Sequence, residues 1–148
     1  MPLHPGLVHY PIALTVLAAA FQLLALVTRR DSHTLAALLC LCGAGIGGIL
    51  AALTGTGQEQ LVAELPGIQT ALEQHEMLGN LAAWLLAGGS LAAVYLFLKG
   101  RLRPWPFLVA LVLASGLLVL TGHFGGRLVF EHGAGVAAPV PVETASPP

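Results

Sequence analysis

Four continuous apolar runs, at about residues 7–28, 34–53, 77–98 and 105–121, leave this chain few folds to choose from. Each is close to the roughly 20 residues that a helix needs to cross the hydrocarbon core of a bilayer. Lipid offers no partner for backbone N–H and C=O groups, so only helices and closed barrels span it. The runs are unbroken rather than alternating, which selects the helix. Of the 148 residues, 56% are hydrophobic and only 9% are charged, against about a quarter charged in a soluble domain. The expected fold is all-α, a four-transmembrane-helix bundle with the lipid bilayer as its solvent.

The amino-terminal residues carry no basic segment and no small-residue cleavage site follows them, so the first span is expected to be retained. A net charge of −1 gives no reason to expect nucleic acid as a partner. The placement of charge is more informative. Five of the six Lys and Arg residues lie in two turns, Arg29-Arg30 and Lys99 to Arg103, which fourfold crossing puts on one side. The positive-inside rule makes that side cytoplasmic and both termini outer, in a bacterial inner membrane facing the periplasm. All the acidic residues except Asp31 fall on the outer side.

The same topology sorts the histidines. His4, His9, His75, His123 and His132 fall on the outer side, and only His33 sits in a basic turn, where no function is assigned to it. The densest stretch is Gly122-His123-Phe124-Gly125-Gly126-Arg127-Leu128-Val129-Phe130-Glu131-His132-Gly133, where the last span ends. Ionisable groups at membrane depth are costly and mark function by default. Imidazole ligates Zn, Cu and Fe, and serves as an axial ligand of haem. Because His9, His75 and His123 come from three different spans at similar depth, two of them can hold one haem b; the preferred axial pair is His9 with His75, then His123. Gly79, four residues after His75, and Gly122, Gly125 and Gly126 leave room for a macrocycle, and Arg127 can pair with a propionate. The same inventory also fits a Zn or Cu ion on His9, His75, His123 and His132, with Glu76 or Glu131 in support. Arg127 can equally pair with Glu131, one turn on.

Other features carry less chemistry. Gly43 to Gly48 in the second span form a face for close helix packing, or a slot for a flat cofactor. Residues 55–74 read as an outer amphipathic loop, a broken helix lying in the interface with its break at Pro66-Gly67. Cys40 and Cys42, two apart on a helix, point to nearly opposite faces and are packing residues rather than a redox pair. Residues 1–136 form the transmembrane domain, and 137–148, rich in Ala, Pro and Val, read as a disordered tail.

His4-Pro5-Gly6-Leu7-Val8-His9-Tyr10-Pro11 and the stretch from Gly122 to Gly133 resemble the signatures of a family of four-helix bacterial membrane proteins known only as a domain of unknown function, with Thr54-Gly55 and His75 matching its middle part. The resemblance covers the chain to about Val136 and carries over His4, His9, His75, His123 and His132. It implies the same four-helix fold, with an architecture similar to small b-type membrane cytochromes, and no activity of its own. The expectation is a membrane haem b protein, an electron carrier rather than an enzyme. It would exchange electrons at the periplasmic face with a quinol or a periplasmic redox protein. The alternatives are a Zn or Cu binding or sensing protein and a structural accessory subunit, in a homo-oligomer or a larger membrane complex.

Overall fold

The computed structural model describes residues 4–62 and 65–135, the side chains of residues 58–61 excepted. The described residues are helical throughout apart from turns, in the order α1 (His4–Leu7), α2 (His9–Thr28), α3 (Asp31–Val62), α4 (Gln69–Leu98) and α5 (Pro104–Phe130). Four segments are long and apolar enough to cross a membrane: His4–Thr28, Asp31–Gly57, Gln69–Leu98 and Pro104–Phe130. The tail expected at 137–148 lies outside the described residues.

The four long helices close into a ring, α2 against α3, α3 against α4, α4 against α5, and α5 back against α2. Short turns join them at Arg29-Arg30 and at Lys99 to Arg103, so consecutive helices run antiparallel. The central core is built largely from small residues, Ala18, Ala37, Ala44, Ala82 and Ala93, with Leu38, Leu41, Leu86, Phe107, Leu111 and Leu118 between them. Small side chains let helix backbones approach, which lipid cannot drive through hydrophobicity alone. The glycine face of α3 obeys the same rule. A Cβ on Gly45 would stand 3.2 Å from Ala87 Cα of α4, and one on Gly47 would stand 3.3 Å from Pro11 Cδ of α2. Neighbouring helices fill this face, which leaves no slot there for a flat cofactor.

At the basic end the helix limits match the expected spans closely. At the histidine end they do not: α3 runs to Val62 and α4 starts at Gln69, so residues 55–74 are mostly prolongations of the spanning helices rather than a separate interfacial loop. Hydropathy marks where a helix meets lipid, whereas a helix once nucleated extends by one hydrogen bond per residue through polar sequence too. With 32 and 30 residues, α3 and α4 are each about 45 Å long, roughly 15 Å more than the hydrocarbon core. The break falls where Pro66-Gly67 placed it, with Gly67 at φ 72°. Ile68, just after it, is fully buried with Ala71 and Leu128, and Val62, Leu65, Leu72 and Ala134 pack around them. This small cluster clamps the α3–α4 turn onto the last turns of α5 and closes the histidine end.

Candidate functional site

Two of the five histidines at this end meet. The His4 and His75 rings lie with centroids 6.3 Å apart and planes at 81°. They come from α1 and α4, and both are half-buried. His75 makes no ring contact with His9.

Each ring is held by the same device. His4 Nδ1 lies 2.8 Å from the carbonyl oxygen of Ala51 on α3, 47 residues ahead, and 3.4 Å from Thr54 Oγ1. His75 Nδ1 lies 3.1 Å from the carbonyl oxygen of Thr121 on α5, 46 residues ahead. A carbonyl can only accept, so in both rings Nδ1 carries the proton and donates it. A helical carbonyl can take this second bond because its oxygen has two lone pairs and the i+4 amide uses one.

The access comes from glycine. A side chain on a helix covers the turn before its own Cα, so the residue at i+4 shields the carbonyl of residue i. Here those shielding positions are Gly55, four after Ala51, and Gly125, four after Thr121. A Cβ on Gly55 would stand 3.1 Å from His4 Cε1, and one on Gly125 only 2.9 Å from His75 Cε1. The imidazoles occupy the space that the missing Cβ atoms leave. The device in the second half of the chain repeats that in the first, about one α-hairpin later.

Fixing the proton on Nδ1 leaves Nε2 as the free lone pair of the neutral ring. This is the usual arrangement of a metal-ligating histidine, whose other nitrogen donates to a carbonyl or carboxylate that sets tautomer and orientation.

The other expected site residues sit elsewhere. His9 Nδ1 donates to Pro5 O of the preceding turn at 2.7 Å, and the residue is exposed. His123 is exposed and stands edge-on to Phe124, with ring centroids 5.6 Å apart. His132 is half-buried just past the end of α5. Arg127 is taken by Glu131, Nε lying 3.0 Å from each carboxylate oxygen and a second guanidinium nitrogen 2.9 Å from Oε2. The Arg127 guanidinium holds the Glu131 carboxyl below the usual carboxylate range, with smaller help from His132 and His123. Neither Gly79 nor Gly126 makes room for a histidine: a Cβ on the first would meet Thr121 Cγ2 at 3.8 Å, and on the second Phe130 Cδ2 at 3.9 Å. His33, at the basic end, bonds Thr28 Oγ1 through Nδ1 at 2.8 Å.

Among the described residues, no three His, Cys, Asp or Glu side chains converge where they could hold a metal ion. The set His9, His75, His123 and His132 is therefore not gathered into a tetrahedral site. Gly55 and Gly125 were both in view in the sequence, as part of a motif and as room for a macrocycle. The signal that pairs them with His4 and His75 is a small residue four positions after a carbonyl, and it shows only once helices face each other.

These features define an integral-membrane four-helix bundle with a braced histidine pair at one end. The chain belongs to the DUF2231 family of predicted membrane proteins, a domain of unknown function whose family model matches residues 1–138. No curated protein and no solved structure matches the chain.

Proposed function

We propose that His4 and His75 are the two axial ligands of a b-type haem, and that this protein carries electrons at the periplasmic face of a bacterial inner membrane. The observation that carries the reading is the separation of the two rings. Two imidazoles sharing one metal ion through Nε2 need two metal–nitrogen bonds of about 2.0 Å plus the ring radii, roughly 6 Å between centroids, and the rings stand 6.3 Å apart.

The number of donors favours haem. A structural Zn site takes four protein ligands, whereas a haem asks two of the protein because the macrocycle supplies the rest. Two histidines with free Nε2 lone pairs, and no third donor converging on them among the described residues, match the second requirement. Haem held by two histidines supplies one-electron redox chemistry at an iron closed to other ligands, which suits a carrier rather than an enzyme.

The chain's own residues do the rest. The Ala51 and Thr121 carbonyls fix the tautomer and aim of each ring, and by accepting the Nδ1–H hydrogen bond they raise the basicity of Nε2. Gly55 and Gly125 admit the rings to those carbonyls. The charge distribution supports an outer location, where the partner would be a membrane quinol or a periplasmic redox protein, met directly or within a larger complex or homo-oligomer.

One observation favours a second reading. The gaps at Gly55 and Gly125 are filled by the imidazoles themselves and leave no slot for a macrocycle, so a bare Cu or Zn ion on the same two nitrogens fits with less rearrangement.

An absorption spectrum of the purified protein, oxidised and then reduced with dithionite, tests the assignment. Haem gives a Soret band that shifts on reduction and disappears in His4→Ala and in His75→Ala, but persists in His9→Ala and His33→Ala. A colourless protein with one Cu or Zn per chain by elemental analysis supports the ion and rejects the haem. A colourless, metal-free protein from haem- and metal-replete cells rejects both.

A further inference from the structure

The opposite end of the bundle holds a second feature, which owes nothing to the histidines. Five cations, Arg29, Arg30, Lys99, Arg101 and Arg103, stand there against a single acid, Asp31. Among the described residues the one ion pair is Arg127–Glu131, at the other end, so these cations have no carboxylate partner. Lys99 has only the Tyr95 ring, 5.9 Å from its centroid.

Two of the five are held in a fixed frame. Gly100, at φ 64°, ends α4 in a left-handed turn. Its N–H donates to Phe97 O at 2.9 Å, and the Arg101 N–H donates to Leu96 O at 2.8 Å, so the last carbonyls of α4 are satisfied by the turn itself. Leu102 then packs against the central core. Arg103 is extended, at ψ 125°. Leu102 faces the core, whereas Arg101 and Arg103 on either side of it are exposed. Together with Gly100, Leu102 and Pro104 they line an open surface depression of about 470 Å³, and an adjoining depression that shares Gly100, Leu102 and Pro104 has Asp31 in its wall.

The neighbouring helix start adds little of its own. Pro104 and Pro106 lack N–H groups, and the Phe107 N–H is spent on Arg103 O at 3.1 Å. In the first turn of α5 only the Trp105 N–H is left, so recognition here falls to the two guanidinium groups. Trp105 is 65% exposed beside them, a residue type enriched at the headgroup level of a membrane.

We propose that the Gly100–Pro104 turn is a phosphate-binding site, with Arg101 and Arg103 as the ligating side chains. Planar guanidinium forks match phosphate oxygens geometrically. Basic pockets between spanning helices take anionic lipid headgroups. The same chemistry would also accept free phosphate, and the test separates the two sources. Arg29 and Arg30 serve as the internal control, since they carry the same charge at the same end without this depression.

The experiment titrates the full-length protein, purified in a neutral detergent, with short-chain phosphatidylglycerol, with phosphatidylcholine and with inorganic phosphate, following Trp105 fluorescence in a Trp84→Phe background. Saturable binding of phosphatidylglycerol but not phosphatidylcholine is expected, weakened about tenfold or more by the double change Arg101→Gln, Arg103→Gln and under about twofold by Arg29→Gln, Arg30→Gln. Binding of inorganic phosphate at least as tight as that of the lipid, with the same dependence on Arg101 and Arg103, keeps the site and makes its source soluble. Equal weakening by the two double changes overturns the proposal, because the cations would then act only as a diffuse field. No saturable binding of either anion overturns it too. Circular dichroism of each variant shows that the helices remain, and Arg101→Lys, Arg103→Lys separates forked recognition from charge alone.

Discussion

The two histidines of the candidate site are held by the same atoms in the same order, yet on different mountings. His75 lies six residues inside α4, a continuous helix of 30 residues. His4 lies in α1, a single turn of four residues, and the helix that continues the span starts afresh at His9. A ligand on a long helix is fixed by the whole bundle. One on a single turn can shift with few contacts broken. Similar chemistry on unequal supports makes His75 the fixed member of the pair and His4 the adjustable one, by which a bound group would be admitted.

The strongest way to break that comparison is to delete each ring. His75→Ala and His4→Ala should both abolish the reducible Soret band, and a variant that keeps it would remove that residue from the ligand set.

The glycines sharpen the contrast. Gly125→Ala would bring a Cβ to 2.9 Å of a ring carried on a long helix, and Gly55→Ala would bring one to 3.1 Å of a ring carried on a single turn. Occupancy after purification should fall about tenfold or more in the first and only a few-fold in the second. Equal losses would mean that the two mountings are equally stiff.

Ile68 tests the clamp at the α3–α4 turn. Ile68→Ala should cost about 2–4 kcal/mol of stability if the cavity does not collapse, read as a lower melting temperature with the band position unchanged. A shifted band would show that the cluster sets the site's geometry and does more than hold the α3–α4 turn.

The smallest effect belongs to Glu131. Its carboxyl is held below the usual range when folded, so the Arg127 pair contributes its stability above the ordinary carboxylate pKa, near 4.3, and loses it as pH falls through the lower folded value. Because the pair is exposed, Glu131→Gln should leave the melting temperature at neutral pH unchanged within error. A clear drop there would show that Arg127 and Glu131 brace the site.

Much of the fold was legible because hydropathy adds up residue by residue. The four spans, the break at Pro66-Gly67 and the separation of basic turns from histidines all follow from composition along the chain. The site was legible only in part. His75 stands among the candidates, whereas its preferred partner on the sequence is His9, which shares its depth with His75 and His123, and spacing cannot choose among the histidines. Periodicity could not show that His9 turns back to bond Pro5 of the preceding turn, α1. Nor could it show that the Gly43 to Gly48 face would be filled by α2 and α4, although the spacing did offer Arg127 the Glu131 partner that it takes.

The sequence by itself determined that this protein is a four-helix membrane bundle with five of its six imidazoles at one end and five of its six Lys and Arg residues at the other, since transfer to lipid depends on each residue's own chemistry and position. Only the tertiary structure decided which two imidazoles meet and which carbonyls and glycines receive them. Those contacts depend on how far each helix is turned about its axis and slid along its neighbour. A shift of one residue swings a side chain by about 100° without changing the hydropathy of the span.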